Sequence, residues 1–271
     1  MFKILASREL APKVNLMQVY APLVSGKAEA GQFVIVRAHE KGERIPLTIA
    51  DFNRQDGSIT LVFQAAGKTT SMLAAMKKGD RIPDLLGPQG NPTEIKNYGN
   101  AVVIGGGIGI APVYPLARSL REQGNKVISI VGYRSKDHVF WEDKMSSVSD
   151  RLIVSTNDGS YGRKGLVTDT LQELISGGQK IDIVFAIGPA IMMKAVSGIT
   201  VPLGIKTVVS LNSLMVCGMG MCGACRVEIG GKTRFTCMDG PDFDASLVNF
   251  DLLMKRLDTY KNEECSCHKP A

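Results

Sequence analysis

The chain has 271 residues, of which 44% are apolar and 21% charged, enough for about two domains and a full hydrophobic core. Its net charge of +6 is spread along the chain without a run of five like charges, which argues against a nucleic-acid footprint and for a mildly basic, solvated surface. The longest apolar stretch, AVVIGGGIGIAPVYPLA (101–117), is too short and too rich in Gly and Pro to span a membrane, and MFKILASRELAPKVNLMQ lacks the apolar core of a signal peptide, so a cytoplasmic location is expected.

KVNLMQVYAP, GQFVIVRAH, IPLTIADF and GSITLVFQAAG read as short strands parted by turn residues, which predicts a small antiparallel β-barrel over 1–98. TTSMLAAMKKGD (69–80) is the one helical segment within it, with a basic last turn before Gly79. From 99 to 210 the pattern changes. NAVVIGG, KVISIVGYR, DRLIVSTND and IDIVFAIGP read as strands, while APVYPLARSLREQG and GLVTDTLQELISGG carry helical periodicity; this alternation predicts a parallel α/β sheet. A cysteine module over 211–240 follows, then a helical tail with a loose end over 241–271. The expected fold class is therefore β plus α/β, with a C-terminal metal-binding module.

IGGGIGIAP (104–112) follows a predicted strand and opens a helix. Gly106, Gly107 and Gly109 allow a tight turn and close backbone approach, Pro112 suits the first helical turn, and the free N–H groups make a phosphate seat. A ligand-free tight turn is the plainer reading of such a loop. The spacing departs from the dinucleotide fingerprint, because proline replaces its third glycine and no acidic residue ends the next strand at GYRSKD. Arg134 in that stretch is open to a salt bridge, adenine stacking or a 2′-phosphate, so NAD and NADP are not separated. Gly188 and Pro189 form a second turn at the carboxyl edge, where open sheets bind ligands.

MVCGMGMCGACRVEIGGKTRFTC (215–237) holds four of the six cysteines. Stable disulfides are rare in the cytoplasm, and zinc sites favour two close pairs of ligands where this chain has one C-x-x-C. The spacing Cys217-x4-Cys222-x2-Cys225-x11-Cys237 is instead that of a plant-type [2Fe–2S] cluster. Gly218, Gly220 and Gly223 let the loop wrap an anionic cluster and aim N–H groups at its sulfurs. RVEIGGKTRFTC predicts a hairpin that returns Cys237 to the loop. Cys265 and Cys267 belong to the loose tail. His39 and His138 have no ligand partners nearby in sequence, and no arrangement for hydrolytic catalysis is present. A nicotinamide delivers electron pairs and such a cluster takes single electrons, so a flavin is expected between them, in the barrel.

The order barrel, GGGIGIAP, IGP resembles the ferredoxin–NADP reductase superfamily. The appended cysteines, with TNDGSYGRKGLVTD (156–169), narrow the resemblance to iron–sulfur flavoproteins that include the electron-transfer subunit of NAD-dependent dihydroorotate dehydrogenase. GERIPLTIAD, LNSLMVCGMGMCGACRVEIGG and MDGPDFDASLVNFDLLMKRLDTY are similar to the small-subunit family of NADH-dependent reduced ferredoxin:NADP+ oxidoreductases, also labelled sulfide dehydrogenase β subunits, over essentially residues 1–260. The resemblance implies an electron-bifurcating heterodimer. In it a larger subunit carries a second FAD, [4Fe–4S] clusters and the NADP(H) site, and reaches ferredoxin on behalf of this chain.

The resemblance further implies FAD contacts at Ile45, Pro46, Leu47 and Thr48, at Val62, Phe63 and Gln64, and at Gly67, Thr69 and Thr70. Ile45 stands where the family has arginine, with Arg44 one residue early. NAD(H) would meet Gly106, Gly107, Gly109, Pro112, Arg134, Asp158, Gly188 and Pro189. Hydride transfer by binding and orientation needs no catalytic acid or base in the chain.

Overall fold

The computed structural model describes residues 1–259; Cys265 and Cys267 lie outside them. Strands β1 (Phe2–Ala11), β2 (Val14–Tyr20), β3 (Phe33–Arg37), β4 (Arg44–Asn53), β5 (Ser58–Gln64), β6 (Arg81–Ile82) and β7 (Asp84–Gln89) form one sheet in the order β6-β1-β2-β5-β4-β3-β7. Every pairing is antiparallel. The two edge strands are parted by Pro83 alone, so the chain draws the edges together and the barrel nearly closes. Alternate residues turn inward, among them Val34 with Val36 and Ile59 with Leu61, and bury a core that also takes Ile4, Ile49, Leu73 and Ile82.

Helices α1 (Pro22–Ser25) and α2 (Lys68–Ala75) belong to this half. The helix expected over 69–80 is a correction, because α2 ends at Ala75 and Met76 is already extended. The basic turn is drawn into other bonds. Lys77 N donates to Asp80 Oδ2 at 2.8 Å, and Gly79 N donates to the Ile4 carbonyl at 2.9 Å. Strand β1 was not among the expected strands, since Arg8 and Glu9 blur its alternation; its pairing with β2 supplies the order that the local pattern lacks.

The second half comprises β8 (Asn100–Gly106), α3 (Ile110–Glu122), β9 (Lys126–Tyr133), α4 (Glu142–Ser147), β10 (Arg151–Thr156), β11 (Arg163–Lys164), α5 (Val167–Ser176), β12 (Ile183–Ile187), α6 (Ala190–Thr200) and β13 (Lys206–Ser210). Its strands from β8 to β13 are parallel. Neighbouring residues of β8 face opposite layers: Ala101 and Val103 pack with Val113 and Leu120 of α3, while Val102 and Ile104 pack with Leu171 of α5 and Val196 of α6.

Within the described residues, the helical tail expected from 241 is also corrected. After the hairpin β14 (Arg226–Ile229) and β15 (Lys232–Phe235) come a short helix α7 (Thr236–Asp239), a strand β16 (Asp242–Asp244) and a helix α8 (Phe250–Leu257). β16 pairs antiparallel with β13, completing the order β11-β10-β9-β8-β12-β13-β16. No helix among the described residues is long and apolar enough to cross a membrane.

One side chain ties the halves together. Asp51 of β4 accepts from Arg118 Nη1 of α3 at 2.8 Å and from Lys144 Nζ of α4 at 2.6 Å. Lys144 also lies 4.1 Å above the Tyr114 ring. All three charges are partly solvated, which moderates the energy. Asp51→Ala should still cost about 1–2 kcal/mol, because it strands two half-buried cations. Asp51→Asn should recover part of that. Urea unfolding of the three proteins checks it, and an unchanged midpoint in the alanine variant would refute the clamp.

Candidate functional site

In the α/β sheet the chain steps outward from β8 through β9 to β10, then returns to the other side of β8 for β12 and β13. The carboxyl ends of β8 and β12 therefore flank a topological switch point, the usual ligand crevice of open sheets. The turn after β8 passes through Gly107 at φ 55° and enters α3 at Ile110. A methyl group on Gly109 would collide with the Ile187 carbonyl oxygen, and one on Gly188 would sit 2.8 Å from the Met192 methyl. Glycine lets the two turns lie backbone to backbone, and Met192 seals them from behind.

A cavity of about 450 Å³ opens between these turns and the barrel, a size suited to a small cofactor or part of a larger one. The barrel contributes Pro46, Leu47 and Thr48 of β4, Val62, Phe63 and Gln64 of β5, and Thr70 of α2. Gly106, Gly107, Gly109, Pro112, Gly188 and Pro189 form the opposite wall. Ile45 is half-buried against the barrel core, as strand alternation requires. That same alternation puts Arg44 on the strand face of Pro46 and Thr48, and its side chain is exposed.

The turn before α2 behaves differently from its neighbours. Thr70 Oγ1 accepts from Gly67 N at 2.9 Å and Ala66 N at 3.1 Å, capping the helix. Thr69 is buried and directed at Glu43, so neither it nor Gly67 reaches the cavity. Arg134 and Asp158 also lie elsewhere, together with Ser135, His138 and Asn157 in an exposed cleft at the carboxyl ends of β9 and β10. Asp158 accepts from Ser160 Oγ at 2.6 Å and Ser160 N at 3.0 Å, and these bonds hold its carboxyl below the usual range.

The four cysteines of the module are free thiols. Cys217, Cys225 and Cys237 are buried and Cys222 is exposed. Gly218, Gly220 and Gly223 all have positive φ, at 71°, 74° and 67°, and the resulting curl points backbone amides at sulfur. Met219 N and Cys222 N each donate to Cys217 Sγ at 3.4 Å, Gly220 N to Cys237 Sγ at 3.2 Å and Ala224 N to Cys222 Sγ at 3.5 Å. Burial raises the Cys217 thiol, but the amide donors together outweigh it and bring it down to about 7. Burial, with the Cys225 sulfur 3.2 Å away, pushes Cys237 up to about 12.

Such a donor set fits an anionic iron–sulfur group. Among the described residues no three His, Cys, Asp or Glu side chains gather tightly enough for one ion. Phe33 and Ile35 of β3 pack directly with Met215, Cys225 and Cys237.

Sequence reasoning missed the far wall of the cavity, made by Gly31, Phe33, Ser210, Leu211, Asn212, Met215 and Pro241. Only the Gly-Pro pair at 240–241 offered a local signal, that of a turn ending the module.

Comparison with known proteins agrees with this layout. Residues 103–198 match an oxidoreductase NAD-binding domain, and residues 212–249 match the iron–sulfur cluster binding domain of dihydroorotate dehydrogenase B. The chain is 46% identical over 265 residues to a dihydroorotate dehydrogenase B (NAD(+)) electron transfer subunit homolog of Thermotoga maritima, covering 96% of this chain and 93% of that one. It is 33% identical over 252 residues to the dihydroorotate dehydrogenase B (NAD(+)) electron transfer subunit of Fusobacterium nucleatum, covering 90% and 95%. A solved structure of the NADH-dependent reduced ferredoxin–NADP oxidoreductase, studied for flavin-based electron bifurcation, contains a chain 45% identical to this one. It superposes with a TM-score of 0.94 over 99% of this chain and 96% of that one.

Gly109→Ala should force the turns after β8 and β12 apart, at a cost of about 1–3 kcal/mol for the overpacked methyl. Thermal unfolding checks it; a variant as stable as the parent would show that the close contact is dispensable.

Proposed function

The chain belongs to the dihydroorotate dehydrogenase B electron-transfer subunit family, and on that premise we propose that it serves an electron-bifurcating NADH-dependent reduced ferredoxin–NADP oxidoreductase as its FAD- and [2Fe–2S]-containing subunit. One observation carries the reading: a single cavity joins Thr48 and Phe63 of the barrel to Gly107 and Gly188 of the sheet, and Phe33 on its wall also packs against Cys225 and Cys237. A hydride donor, a flavin and a one-electron outlet can be ranged along that line.

When bound, FAD supplies the conversion between paired and single electrons. The chain supplies position and electrostatics. Leu47, Val62 and Phe63 offer an apolar bed, and the Thr48 hydroxyl and Gln64 amide offer polar contacts at its rim. Arg44, on the same strand face, is the cation available for a pyrophosphate oxygen in place of the arginine missing at 45. The glycine turn over 107–109 that leads into α3 would offer its backbone N–H groups to the nicotinamide nucleotide's phosphates, and the turn at Gly188 and Pro189 would hold its reactive end. Arg134, in the cleft at the ends of β9 and β10, would stack on adenine. Asp158, kept ionised by Ser160, accepts from ribose hydroxyls and repels a 2′-phosphate, which favours NAD(H) over NADP(H).

Cys217, Cys222, Cys225 and Cys237 would hold the two irons, and the amides aimed at their sulfurs would stabilise the cluster's negative charge. Around exposed Cys222, the side chains of Val216, Met219, Met221 and Met238 stand open to solvent. Methionine adapts well to an apolar partner surface, so this rim is where a larger subunit would dock to receive electrons, itself carrying FAD and [4Fe–4S] clusters and binding NADP(H).

The match over residues 212–249 also supports a second reading, service to a dihydroorotate dehydrogenase; the 45% identity over 99% of the chain favours bifurcation. Anaerobic purification from the native source decides. A larger iron-rich partner chain with its own FAD is expected, a smaller FMN enzyme would install the second reading, and stoichiometric zinc without flavin would overturn both. In the recovered complex, Met221→Glu should weaken subunit association at least about tenfold. Unaltered association by sedimentation would remove the rim from the interface.

A further inference from the structure

Behind the far wall of the cavity, next to Pro241 and opposite Ser210, lies a buried carboxyl that the proposed function leaves unused. β16 pairs Asp242 with Ser210 of β13, and both Ser210 and Pro241 line the cavity. Thr93 Oγ1 donates to Asp242 Oδ2 at 2.5 Å. Asp242 Oδ1 is sealed from solvent and has no hydrogen-bond partner. The Ser210 hydroxyl lies near enough to favour the charged form, without completing a bond to Oδ1, and burial outweighs it and Thr93 to raise the carboxyl above its usual range. No charged group contributes to that shift.

The ionisable side chains on the packed elements are engaged elsewhere or remote. Asp239 accepts from Phe235 N and pairs with Arg234, Asp244 caps Ser246, and Glu94 pairs with Lys96. Lys206, at the opposite end of β13, lies over the Tyr98 ring. Glu29 precedes β3 and borders another cleft.

The surroundings of this carboxyl join every part of the proposed electron path. Thr93 N donates to the Ala30 carbonyl of the barrel at 2.9 Å. Asn91 donates from N to the Gly240 carbonyl at 2.7 Å and from Nδ2 to the Met238 carbonyl at 3.0 Å, which fixes the helix bearing Cys237. A lone buried carboxylate with an orphan oxygen is costly. Adding a proton removes the charge and gives that oxygen a hydrogen to share. By reciprocity, a group beside the cavity that gains a proton more readily when the cavity gains negative charge must also make that charge easier to accept.

We propose that Asp242 is the protonation site that tunes the electron affinity of the carrier held in the cavity, taking up a proton as that carrier takes up charge. The inference rests on the function proposed above. Asp242→Asn keeps the shape and the acceptor for Thr93 but cannot ionise. In holoprotein with flavin and iron at full occupancy, the flavin midpoint potential is measured from about pH 5 to about pH 9. The two proteins should coincide at the acid end, and the wild type should fall progressively below the variant as pH rises. Coincident lines, or a constant offset, would overturn the proposal. Thr93→Val removes a bond that favours the charged form, so its divergence from Asp242→Asn should begin at a higher pH than that of the wild type. No displacement would also overturn it.

A third comparison needs no flavin. The unfolded Asp242 ionises at a lower pH than the folded one, so folding binds a proton and stability must fall as pH rises through that interval. The wild-type unfolding midpoint should therefore drop relative to Asp242→Asn over it. A chain that purifies without flavin defeats the proposed function yet leaves this comparison to decide Asp242, and midpoints that run parallel with pH defeat the protonation site itself.

Discussion

The structure depends on a backbone contact. At the switch point of the parallel sheet, Gly109 lies against the Ile187 carbonyl so closely that no side chain fits between them. That contact lets α3 and α6 begin side by side over the ends of β8 and β12, at the crevice between them. The opposite wall must then be held at a fixed distance, and the chain does this with levers. β4 carries Thr48 in the cavity and Asp51 outside it, while α3 carries Pro112 in the cavity and Arg118 outside it. The ion pair between the outer residues sets the spacing of the inner ones. Lys144 secures the same carboxylate from a second helix, so rotation about one bond is also blocked.

The cysteine loop uses another backbone device. Three glycines with positive φ curl the chain until successive amides face the sulfurs. These donors are already in place around the thiols, so little reorganisation is needed when charge arrives. The loop is asymmetric: the amides favour a thiolate at Cys217, while burial and a neighbouring sulfur oppose one at Cys237. Of the loop's four cysteines only Cys222 is open to solvent, and the methionines that surround it are exposed among the described residues.

How legible this was in the sequence follows from the range of the forces involved. Buried runs such as NAVVIGG and IDIVFAIGP announce central strands because both faces are covered, and the cysteine spacing announces its chemistry because four ligands must meet within one loop. The cavity residues of β4, β5 and α2 came from resemblance to a family, since alternation alone cannot tell a cofactor wall from a barrel wall. Thr69 shows the limit of that transfer: its backbone is where the motif puts it, but its side chain turns to Glu43. β1 and β16 were invisible for a different reason. Each is ordered by a partner strand, and the charged residues they carry look like loop. Asp242 is the clearest case, because only the folded chain brings Thr93 and Ser210 to it.

The same long-range pairing explains why the cysteine segment is no independent bead. A segment of this length has too little surface to bury for a core of its own, and it borrows two. Val227, Phe243, Phe250 and Leu253 join the layer beneath the α/β sheet, while Met215, Cys225 and Cys237 pack on Phe33 and Ile35 of the barrel. β16 lies between these attachments, hydrogen-bonded to β13. Displacing the loop would therefore disturb both layers together, an expensive motion for either half to permit. For a chain whose proposed task is to pass single electrons, that rigidity has a direct use: the distance from cavity to sulfur is fixed by the packing of Phe33 rather than by a linker, and Phe33 belongs to both walls.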